Sequence, residues 1–286
     1  TTAPVSARRT AVLRRLGCQV VECHCEVDGR FPHHHPDPSQ PENLADLIDT
    51  VRREGCDLGL ALDGDGDRLG VVDGQGAIIW PDRVLMRLAV DLLTRHPGAV
   101  VIHDVKCSRH LPAVIRAHGG EPVMSRSGHS FLRARLAEEP RALLAGELSG
   151  HFFYRDGWYG FDDAIYAGAR LLTILAADPA SVSQQFDALP HDPATPELQI
   201  RFDREGAQHQ FMQRLNEDVA FPGAEVSCLD GIRADFPWGF GLVRASNTTP
   251  TLTLRFEADE AAHLARIQDL FRQKLLAVDP ALALPF

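Results

Sequence analysis

Residues 60–68 read LALDGDGDR, an apolar strand pattern that runs directly into three aspartates at alternate positions. The intervening glycines allow the backbone to turn tightly around Asp63, Asp65 and Asp67. Three carboxylates in one turn repel one another unless a hard divalent cation binds their oxygen atoms. Ligand sites of open α/β sheets lie where buried strands end, so this stretch predicts such a sheet with a cation site at its edge.

A calcium-binding EF-hand and a solvated loop are the competing interpretations of the acidic turn. An EF-hand that starts at Asp63 needs glycine at its sixth position and glutamate at its twelfth, where this chain has Arg68 and Gly74. The mismatch argues against a calcium-buffering loop. The solvated turn remains open, although the apolar strand before it favours a ligand site.

Helical and strand patterns alternate on both sides of the acidic turn, which is typical of α/β domains. Before the turn, the predicted elements are a helix at 11–17, a strand at 18–23, a surface turn in the proline- and histidine-rich residues 31–41, a helix at 43–55 and a strand at 57–62. Asn43 is expected to cap the second helix and Gly55 to end it.

After the turn, the predicted elements are strands at 69–73, 99–105, 121–126 and 142–146, and helices at 84–95, 109–119, 130–138 and 162–176. A last group contains strands at 198–203, 225–236, 241–246 and 251–258, and helices at 207–215 and 261–278. The lengths and apolar spacing of these segments separate strands from amphipathic helices.

These patterns predict two related three-layer α/β domains, the first incomplete, followed by a smaller α+β domain. Residues 189–197, LPHDPATPE, carry three prolines and few apolar side chains, so they are the best candidate for a linker. We place the domains at residues 1–77, 78–189 and 190–286.

Composition narrows the class of protein. The 286 residues have a formal net charge of -10, which offers no basic surface for nucleic acid or an anionic membrane. No apolar run is long enough to span a bilayer, and no signal-peptide pattern is present. Six cysteines without a CxxC pair are typical of reduced thiols. We expect a cytoplasmic protein with small-molecule partners, and neither nucleic acid nor membrane among its partners.

Residues 146–151, GELSGH, form a second polar loop after an apolar strand. Glu147 and Ser149 are two positions apart, so in an extended segment they point the same way and can hydrogen-bond neighbouring sugar hydroxyls. His151 can exchange protons near neutral pH. Taken alone, a short polar loop with one histidine is more often only a loop.

Residues 244–250, RASNTTP, bring one guanidinium, three hydroxyls and an amide into seven residues. A phosphate dianion would be well held by such a group of donors. A β-turn fixed by its Asn and Thr side chains is an equally good interpretation of the pattern alone. Lys106 and His129 also follow apolar strands and could meet a substrate, although each in isolation is more often a surface residue.

The three motifs, in this order and at these separations, closely resemble the α-D-phosphohexomutase family. The similarity extends over essentially the whole chain and includes residues 26–38, EVDGRFPHHHPDP, and residues 104–109, DVKCSR. GELSGH is most similar to the bacterial phosphomannomutase/phosphoglucomutase branch of the family, which serves exopolysaccharide precursor synthesis.

The resemblance implies a four-domain isomerase of carbohydrate metabolism that interconverts hexose 1-phosphate and hexose 6-phosphate, with glucose, mannose or both as the hexose. A phosphoserine and a hexose 1,6-bisphosphate intermediate, which also acts as activator, would carry the phosphoryl group. The implied Mg²⁺ ligands are Asp63, Asp65 and Asp67. The implied catalytic residues are Arg68, Lys106, His129 and His151, and the implied substrate-binding residues are Glu147, Ser149, Arg244, Ser246, Asn247 and Thr248.

The chain departs from the family pattern because no loop of the serine-histidine-asparagine-proline type is present. The leading strand of the second family domain is also absent. We therefore expect a phosphohexomutase fragment whose serine-bearing N-terminal domain is a partner supplied by another chain or was simply removed; the alternative is a non-catalytic sugar-phosphate binding module. A zinc site of Cys23, His24 and Cys25 with residues 33–35 is a weaker hypothesis, because CHC lacks the usual ligand spacing.

Overall fold

A computed structural model gives the fold of residues 4–26 and 28–286, with side chains from Thr10 onward. No helix in these residues is long and apolar enough to cross a membrane.

The chain divides into two units. The first contains the residues up to Met124 together with Gly128–Pro190, and the second contains Ser125–Ser127 and His191–Phe286. The boundary between the two units that follows Pro190 lies within the proline-rich residues 189–197.

A three-stranded antiparallel sheet, in the spatial order β1-β2-β3, opens the first unit. Its elements are α1 (Pro4–Arg15), a 3-10 helix (Pro41–Leu44), α2 (Ala45–Glu54), β1 (Leu58–Leu62), β2 (Leu69–Asp73) and β3 (Ile78–Ile79). β1 and β2 pair directly from Leu62 opposite Leu69 onward. The acidic turn is therefore the loop that joins two neighbouring strands of one sheet.

Two predictions for this region are wrong. Residues 18–23 lie outside regular secondary structure, because the sheet places no neighbouring strand beside them among the described residues. Asn43 does not cap α2; the residue before this helix is Leu44, and Asn43 Nδ2 instead donates to the Asp37 carbonyl oxygen at 2.9 Å. Gly55 does end α2, in the left-handed conformation with φ of 65°.

The rest of the first unit builds a four-stranded sheet in the order β5-β4-β6-β7. Its elements are α3 (Pro81–Arg95), β4 (Val100–Asp104), α4 (His110–Ala117), β5 (Glu121–Ser125), α5 (His129–Glu138), β6 (Ala142–Gly146), β7 (Phe152–Tyr154), α6 (Ala164–Ala176) and α7 (Val182–Asp187). β4 and β6 are parallel, whereas β6 and β7 are antiparallel. The predicted helices and strands between 84 and 176 are confirmed, but the short β7 and α7 were not predicted.

Helices cover both faces of the four-stranded sheet. Val101 and Leu144 belong to the core that includes the apolar side chains of α3 and α6. Ile102 and Ala145 face the other way, into a separate core with Leu132 of α5. Alternate strand residues therefore fill two cores, as expected of a buried sheet.

The three-stranded sheet is covered in the same way. Gly59 of β1 lies against Val51 of α2, where an added Cβ would be only 2.8 Å from the Val51 side chain. On the other face, Leu60 lies beside Gly168 of α6. The prediction of two three-layer α/β domains, the first incomplete, is confirmed.

A five-stranded antiparallel sheet forms the second unit, in the order β8-β12-β11-β10-β9. Its elements are β8 (Leu198–Arg201), α8 (Ala207–Leu215), β9 (Glu225–Ser227), β10 (Ile232–Phe236), β11 (Gly239–Ala245), β12 (Thr251–Ala258) and α9 (Ala261–Val278). Leu254 and Phe256 share a core with Phe211 of α8 and Phe271 of α9. The predicted α+β class of this region is confirmed.

Gly231 allows the turn before β10 to approach β11 closely. Its φ is 81°, and an added Cβ would lie 2.2 Å from the Val243 carbonyl oxygen and 2.7 Å from Arg244 Cα. Gly223, in the same unit, has a similar φ of 85° but nothing within 4 Å of its ideal Cβ position. An alanine at position 223 would therefore introduce backbone strain alone, whereas an alanine at position 231 would introduce both backbone strain and a steric clash.

Gly231→Ala is expected to destabilise the second unit more than Gly223→Ala. Both changes put a residue with a Cβ into the left-handed backbone conformation, which lowers the free energy of unfolding by about 1–2 kcal/mol. Only Gly231→Ala also forces β11 to move. Amide hydrogen exchange in β10 and β11, followed by mass spectrometry, measures the difference. Equal acceleration of exchange in the two variants would contradict the close packing of Gly231.

Candidate functional site

Asp63 organises the acidic turn. Its Oδ1 accepts hydrogen bonds from the backbone N–H groups of residues 66–68 at 3.0–3.1 Å, and its Oδ2 accepts one from Arg68 Nε at 2.7 Å. Burial alone would raise the pKa of Asp63, but the hydrogen bonds, that from Arg68 above all, hold it below its usual value. An ionised Asp63 therefore fixes the shape of the turn.

Asp67 is the carboxyl group of the turn whose ionisation is least favoured. Its Oδ1 is buried and has no hydrogen-bond partner among the described residues. Burial, a hydrogen bond with Asp63 and the nearby charges of Asp63 and Asp65 raise the pKa of Asp67 to about 7. One carboxylate oxygen from each of the three aspartates lies within 4.8 Å of the others. This donor set fits a hard, oxygen-coordinated ion such as Mg²⁺, which would supply the missing partner.

Arg68 connects the acidic turn to the proline- and histidine-rich loop. Its Nη1 donates to Asp37 Oδ1 at 2.8 Å, and the same oxygen accepts hydrogen bonds from the backbone N–H and hydroxyl of Ser39. Pro38 lies against Gly70 of β2. The loop is therefore more than a surface turn, since it holds the guanidinium of Arg68 in position.

A short strand pairing joins the acidic turn to the loop at residues 146–151. Arg68 and His151 form an isolated antiparallel bridge, and the Leu69 N–H donates to the Gly150 carbonyl oxygen at 3.0 Å. Gly150 has φ of 102°, and an added Cβ would lie 2.8 Å from the Leu69 carbonyl oxygen. Glycine permits this approach because it has neither a Cβ nor a penalty for positive φ.

Glu147 is buried and hydrogen-bonded at both carboxylate oxygens. Oε2 accepts from the Gly128 N–H at 2.8 Å, and Oε1 accepts from the Ser149 hydroxyl. Burial alone would raise the pKa of Glu147, but the positive charges of Lys106 and His151 help to hold it below its usual value. An ionised, fixed carboxylate of this kind can accept further hydrogen bonds from a polar ligand.

His151 lies among three carboxylates. Its Nδ1 is 2.9 Å from Asp162 Oδ2 and 3.6 Å from Asp67 Oδ2, and its Nε2 is 3.7 Å from Glu147 Oε1. Burial alone would lower the pKa of His151, but Asp162 and the other carboxylates raise it above the usual value. His151 therefore keeps its proton to higher pH than an exposed histidine, and Asp162 orients its ring.

Lys106 and His129 lie close to this group. Lys106 is buried with its Nζ 3.9 Å from Asp104 Oδ2, and its charge acts on Glu147. His129, at the start of α5, has its ring centre 5.4 Å from that of His151. The first unit thus brings together all of its predicted site residues: Asp63, Asp65, Asp67, Arg68, Lys106, His129, Glu147, Ser149 and His151.

The second unit contains the remaining predicted site residues. Arg244 Nε donates to Asp230 Oδ2 at 2.8 Å, and the same oxygen accepts a hydrogen bond from the Ser127 N–H at 2.9 Å. The close approach of Gly231 to β11 places Asp230 beside Arg244. Asp230 therefore fixes the Nε edge of the buried guanidinium.

Ser246 holds the loop after Arg244 in a turn. Its hydroxyl oxygen accepts from the backbone N–H groups of Thr248 and Thr249, each at 3.3 Å. Asn247 and Thr248 are exposed at the tip. The alternative prediction, a β-turn held by Asn and Thr side chains, differs from the structure, because the Ser246 hydroxyl accepts the two backbone N–H groups of the bend.

Three carboxylates that position the site were not predicted: Asp37, Asp162 and Asp230. Each contacts a residue that is distant from it in the sequence, so local residue spacing did not indicate its role. The only signals were an aspartate between two prolines, an Asp-Asp pair before a helix and an Asp-Gly turn. These patterns are common in loops without any function.

The zinc hypothesis gains no support from the geometry. Within the described part of the chain, the groups of three acidic, histidine or cysteine side chains close enough to share an ion include no cysteine. His24 instead stacks on His33 with ring centres 3.8 Å apart, and its Nε2 lies 2.8 Å from Asp46 Oδ2.

Comparison with known families accounts for nearly the whole chain. The family description "Phosphoglucomutase/phosphomannomutase, alpha/beta/alpha domain II" matches residues 6–76, its domain III matches residues 80–192, and its C-terminal domain matches residues 197–274. The chain belongs to the phosphoglucomutase/phosphomannomutase family.

Relatives within this phosphoglucomutase/phosphomannomutase family are longer than the chain. A phosphomannomutase/phosphoglucomutase of Pseudomonas aeruginosa is 52% identical over 275 residues, which are 96% of this chain and 59% of the relative. A phosphoglucomutase of Neisseria gonorrhoeae is 53% identical over 90% of this chain and 56% of its own length.

A solved structure agrees with these sequence relatives. The phosphoglucomutase/phosphomannomutase family protein from Burkholderia thailandensis superimposes with a TM-score of 0.91 at 50% identity, over 98% of this chain and 60% of that protein. The chain therefore spans about 60% of the length of the proteins that it matches.

Asp65→Asn is expected to weaken Mg²⁺ binding by about tenfold or more, because the acidic turn loses one of its three carboxylates. Asp65 is exposed, so the change leaves the hydrogen bonds of Asp63 in place. Isothermal titration with MgCl2 measures the affinity, and Asp203→Asn, at an exposed position of the second unit, is the matched control. Equal affinities of the two variants would rule out the acidic turn as the principal Mg²⁺ site.

Proposed function

We propose that this chain forms the metal-, sugar- and phosphate-binding part of a phosphohexomutase that interconverts hexose 1-phosphate and hexose 6-phosphate, with glucose, mannose or both as the hexose. The observation that carries the proposal is the pairing of Arg68 with His151, which sets the acidic turn beside the buried Glu147. Relatives named phosphomannomutase/phosphoglucomutase and phosphoglucomutase, at 52% and 53% identity, support an isomerase of carbohydrate metabolism.

Mg²⁺ is assigned to Asp63, Asp65 and Asp67. When bound, the ion would neutralise charge on the phosphoryl group in transfer. The chain's own residues prepare the site: Asp63 fixes the turn, and Asp37 holds Arg68 at its edge. Arg68 then contributes a fixed positive charge next to the ion.

Glu147 and Ser149 are assigned to the sugar hydroxyls. Their mutual hydrogen bond and the Gly128 N–H hold the carboxylate in one orientation, so a sugar meets acceptors that are already positioned. His151, held protonated by Asp162, can donate a proton beside Glu147. Lys106 adds positive charge close to this position, and the ring of His129 lies beside that of His151.

The loop of the second unit is assigned to the phosphate that does not react. Arg244 offers its terminal nitrogens, and Ser246, Asn247 and Thr248 add hydroxyl and amide donors. A guanidinium can bind two phosphate oxygens at once, which fixes the orientation of the ligand as well as its affinity.

The nucleophile in this account is a phosphoserine supplied by a polypeptide equivalent to the remaining length of the relatives. Its phosphoryl group passes to the hexose monophosphate and forms hexose 1,6-bisphosphate, which returns its other phosphoryl group to the serine. Added hexose 1,6-bisphosphate would therefore act as an activator. We also assign the three functional domains to residues 1–77, 78–189 and 190–286. We place the protein in the cytoplasm and propose that its product serves exopolysaccharide precursor synthesis.

A non-catalytic sugar-phosphate binding module is the second candidate function. It is favoured by the sequence itself, because residues 1–286 contain no loop of the serine-histidine-asparagine-proline type. In this case the loops hold a sugar phosphate and the chain turns nothing over.

A coupled assay of glucose 1-phosphate conversion to glucose 6-phosphate distinguishes the candidates. The chain is assayed with Mg²⁺ and glucose 1,6-bisphosphate, alone and with the part of the Pseudomonas aeruginosa relative that it does not match; mannose 1-phosphate is assayed in parallel. We expect turnover only with both polypeptides, and its loss in Ser149→Ala. Binding without turnover in either mixture would favour the binding module, and turnover by the chain alone would contradict the assigned nucleophile.

Arg244→Lys should weaken glucose 1-phosphate binding by about tenfold, because lysine keeps the charge but loses the two-pronged hydrogen bonding. Arg204→Lys is the matched control, since Arg204 is exposed in the same unit and its side chain hydrogen-bonds only Gln210 among the described contacts. Isothermal titration of both variants measures the effect. A similar loss in Arg204→Lys, or none in Arg244→Lys, would remove Arg244 from the phosphate site.

A further inference from the structure

Lysine is rare in this chain. Of its 29 lysine and arginine residues, only Lys106 and Lys274 are lysines. Lys274 lies in α9 and pairs with Asp218, whereas Lys106 is buried just after β4. A lysine carries its charge as a compact ammonium, unlike the broad planar fork of arginine. Lys106 is the one lysine of the first unit, and a buried charge needs neighbouring groups that stabilise it.

Asp104, the last residue of β4, stabilises this charge. Its side chain is fully buried, and its Oδ2 lies 3.9 Å from Lys106 Nζ. Its other carboxylate oxygen, Oδ1, accepts hydrogen bonds from the Leu148 N–H at 3.4 Å and from the Cys107 thiol at 3.1 Å. One carboxylate therefore contacts two parts of the candidate site, the ammonium through one oxygen and the backbone of the loop at 146–151 through the other.

Strand pairing brings Asp104 to this loop. β4 and β6 are parallel neighbours, with His103 opposite Gly146. Both strands run to the same edge of the sheet, and the residues one position further on are Asp104 and Glu147. Leu148 follows Glu147 directly, so the hydrogen bond from its N–H to Asp104 fixes the peptide group that joins the two loop residues.

Glu147 depends on the same ammonium. Burial opposes the ionisation of Glu147, and the charge of Lys106 is the largest single contribution that offsets the burial. Lys106 thus serves two buried carboxylates. If Asp104 lost its charge, Lys106 would be attracted to Glu147 alone and would move toward it. An ammonium bound to Glu147 would occupy the acceptor positions that the proposed function assigns to sugar hydroxyls.

We propose that Asp104 is a positioning residue of the candidate site. Its two carboxylate oxygens hold the Lys106 ammonium and the Leu148 N–H at a fixed separation, which keeps Lys106 from closing onto Glu147. Asparagine has the same shape but cannot replace it. In either orientation its NH2 group meets another donor, the ammonium or the Leu148 N–H, and neither of these can accept a hydrogen bond. Only the consequence for hexose phosphate binding rests on the proposed function.

The lysine signals of the chain test the proposal without any ligand. Lysine labelled with 13C at its ε carbon gives two NMR signals, and Lys274→Arg assigns them by removing one. In the unaltered chain, 13C relaxation should show the Lys106 ε-methylene to be more ordered than that of Lys274. In Asp104→Asn we expect the Lys106 signal to move and the Lys274 signal to stay in place. Amide exchange at Leu148 should accelerate by about tenfold or more.

Two variants control for the loss of a buried polar group. Asp73→Asn changes another buried aspartate of the first unit, which accepts hydrogen bonds from the Ser183 hydroxyl and from two backbone N–H groups. Cys107→Ala removes the thiol that donates to Asp104 and leaves the carboxylate in place. Each should move the Lys106 signal less than Asp104→Asn does. If Asp104→Asn fails to fold, the relaxation comparison in the unaltered chain still decides.

The proposal is overturned if the Lys106 signal is unchanged in Asp104→Asn, if Asp73→Asn moves it equally, or if the Lys106 ε-methylene is as mobile as that of Lys274. Glucose 1-phosphate binding is read separately by isothermal titration. We expect it to weaken by about tenfold in Asp104→Asn and to be unchanged in Asp73→Asn. No binding by the unaltered chain would contradict the proposed function alone. Undiminished binding by Asp104→Asn, with the Lys106 signal moved, would overturn the role of Asp104 in the site.

Discussion

The close contact between Gly150 and Leu69 is the constraint on which the candidate site depends. Leu69 is the first residue of β2 and immediately follows the acidic turn, while Gly150 lies between the Glu147–Ser149 pair and His151. Because an added Cβ would be 2.8 Å from the Leu69 carbonyl oxygen, a side chain at this position would separate the two loops. The fold thus fixes the distance between the acidic turn and the polar loop at 146–151 through backbone contact.

The carboxyl groups around this contact differ in how strongly their ionised forms are stabilised. Asp63 is offset by Arg68, and Glu147 by Lys106 and His151. Asp67, by contrast, has its pKa raised to about 7 and a buried oxygen without a partner. A folded protein tolerates such a group when a ligand compensates it, which is why the turn is better explained as a cation site than as a solvated loop.

The sequence predicted those features that depend on local pattern. The amphipathic helices α8 and α9 occupy the predicted residues, because their apolar spacing is complete without reference to the rest of the chain. The acidic turn and the 146–151 loop were recognisable for the same reason. Residues 18–23 have a strand sequence but no strand structure, because a strand is stabilised by hydrogen bonds to its neighbours rather than by its own residues.

Contacts between residues distant in the sequence explain why the remaining site residues were not predicted. Asp37 and Asp162 act on Arg68 and His151 through contacts that only the folded chain creates. Asp230 reaches Arg244 because Gly231 allows one turn to approach β11. Spacing along the sequence could identify the groups that carry the chemistry, but not the carboxylates that orient them.

The most direct test of this account is a crystal structure of the chain grown with Mn²⁺, which takes the oxygen ligands of Mg²⁺ and scatters anomalously. The account predicts an anomalous peak coordinated by Asp63, Asp65 and Asp67, with the Gly150–Leu69 contact intact. A peak held instead by Asp67, His151 and Asp162, the neighbouring group close enough to share an ion, or no peak at either position, would contradict it.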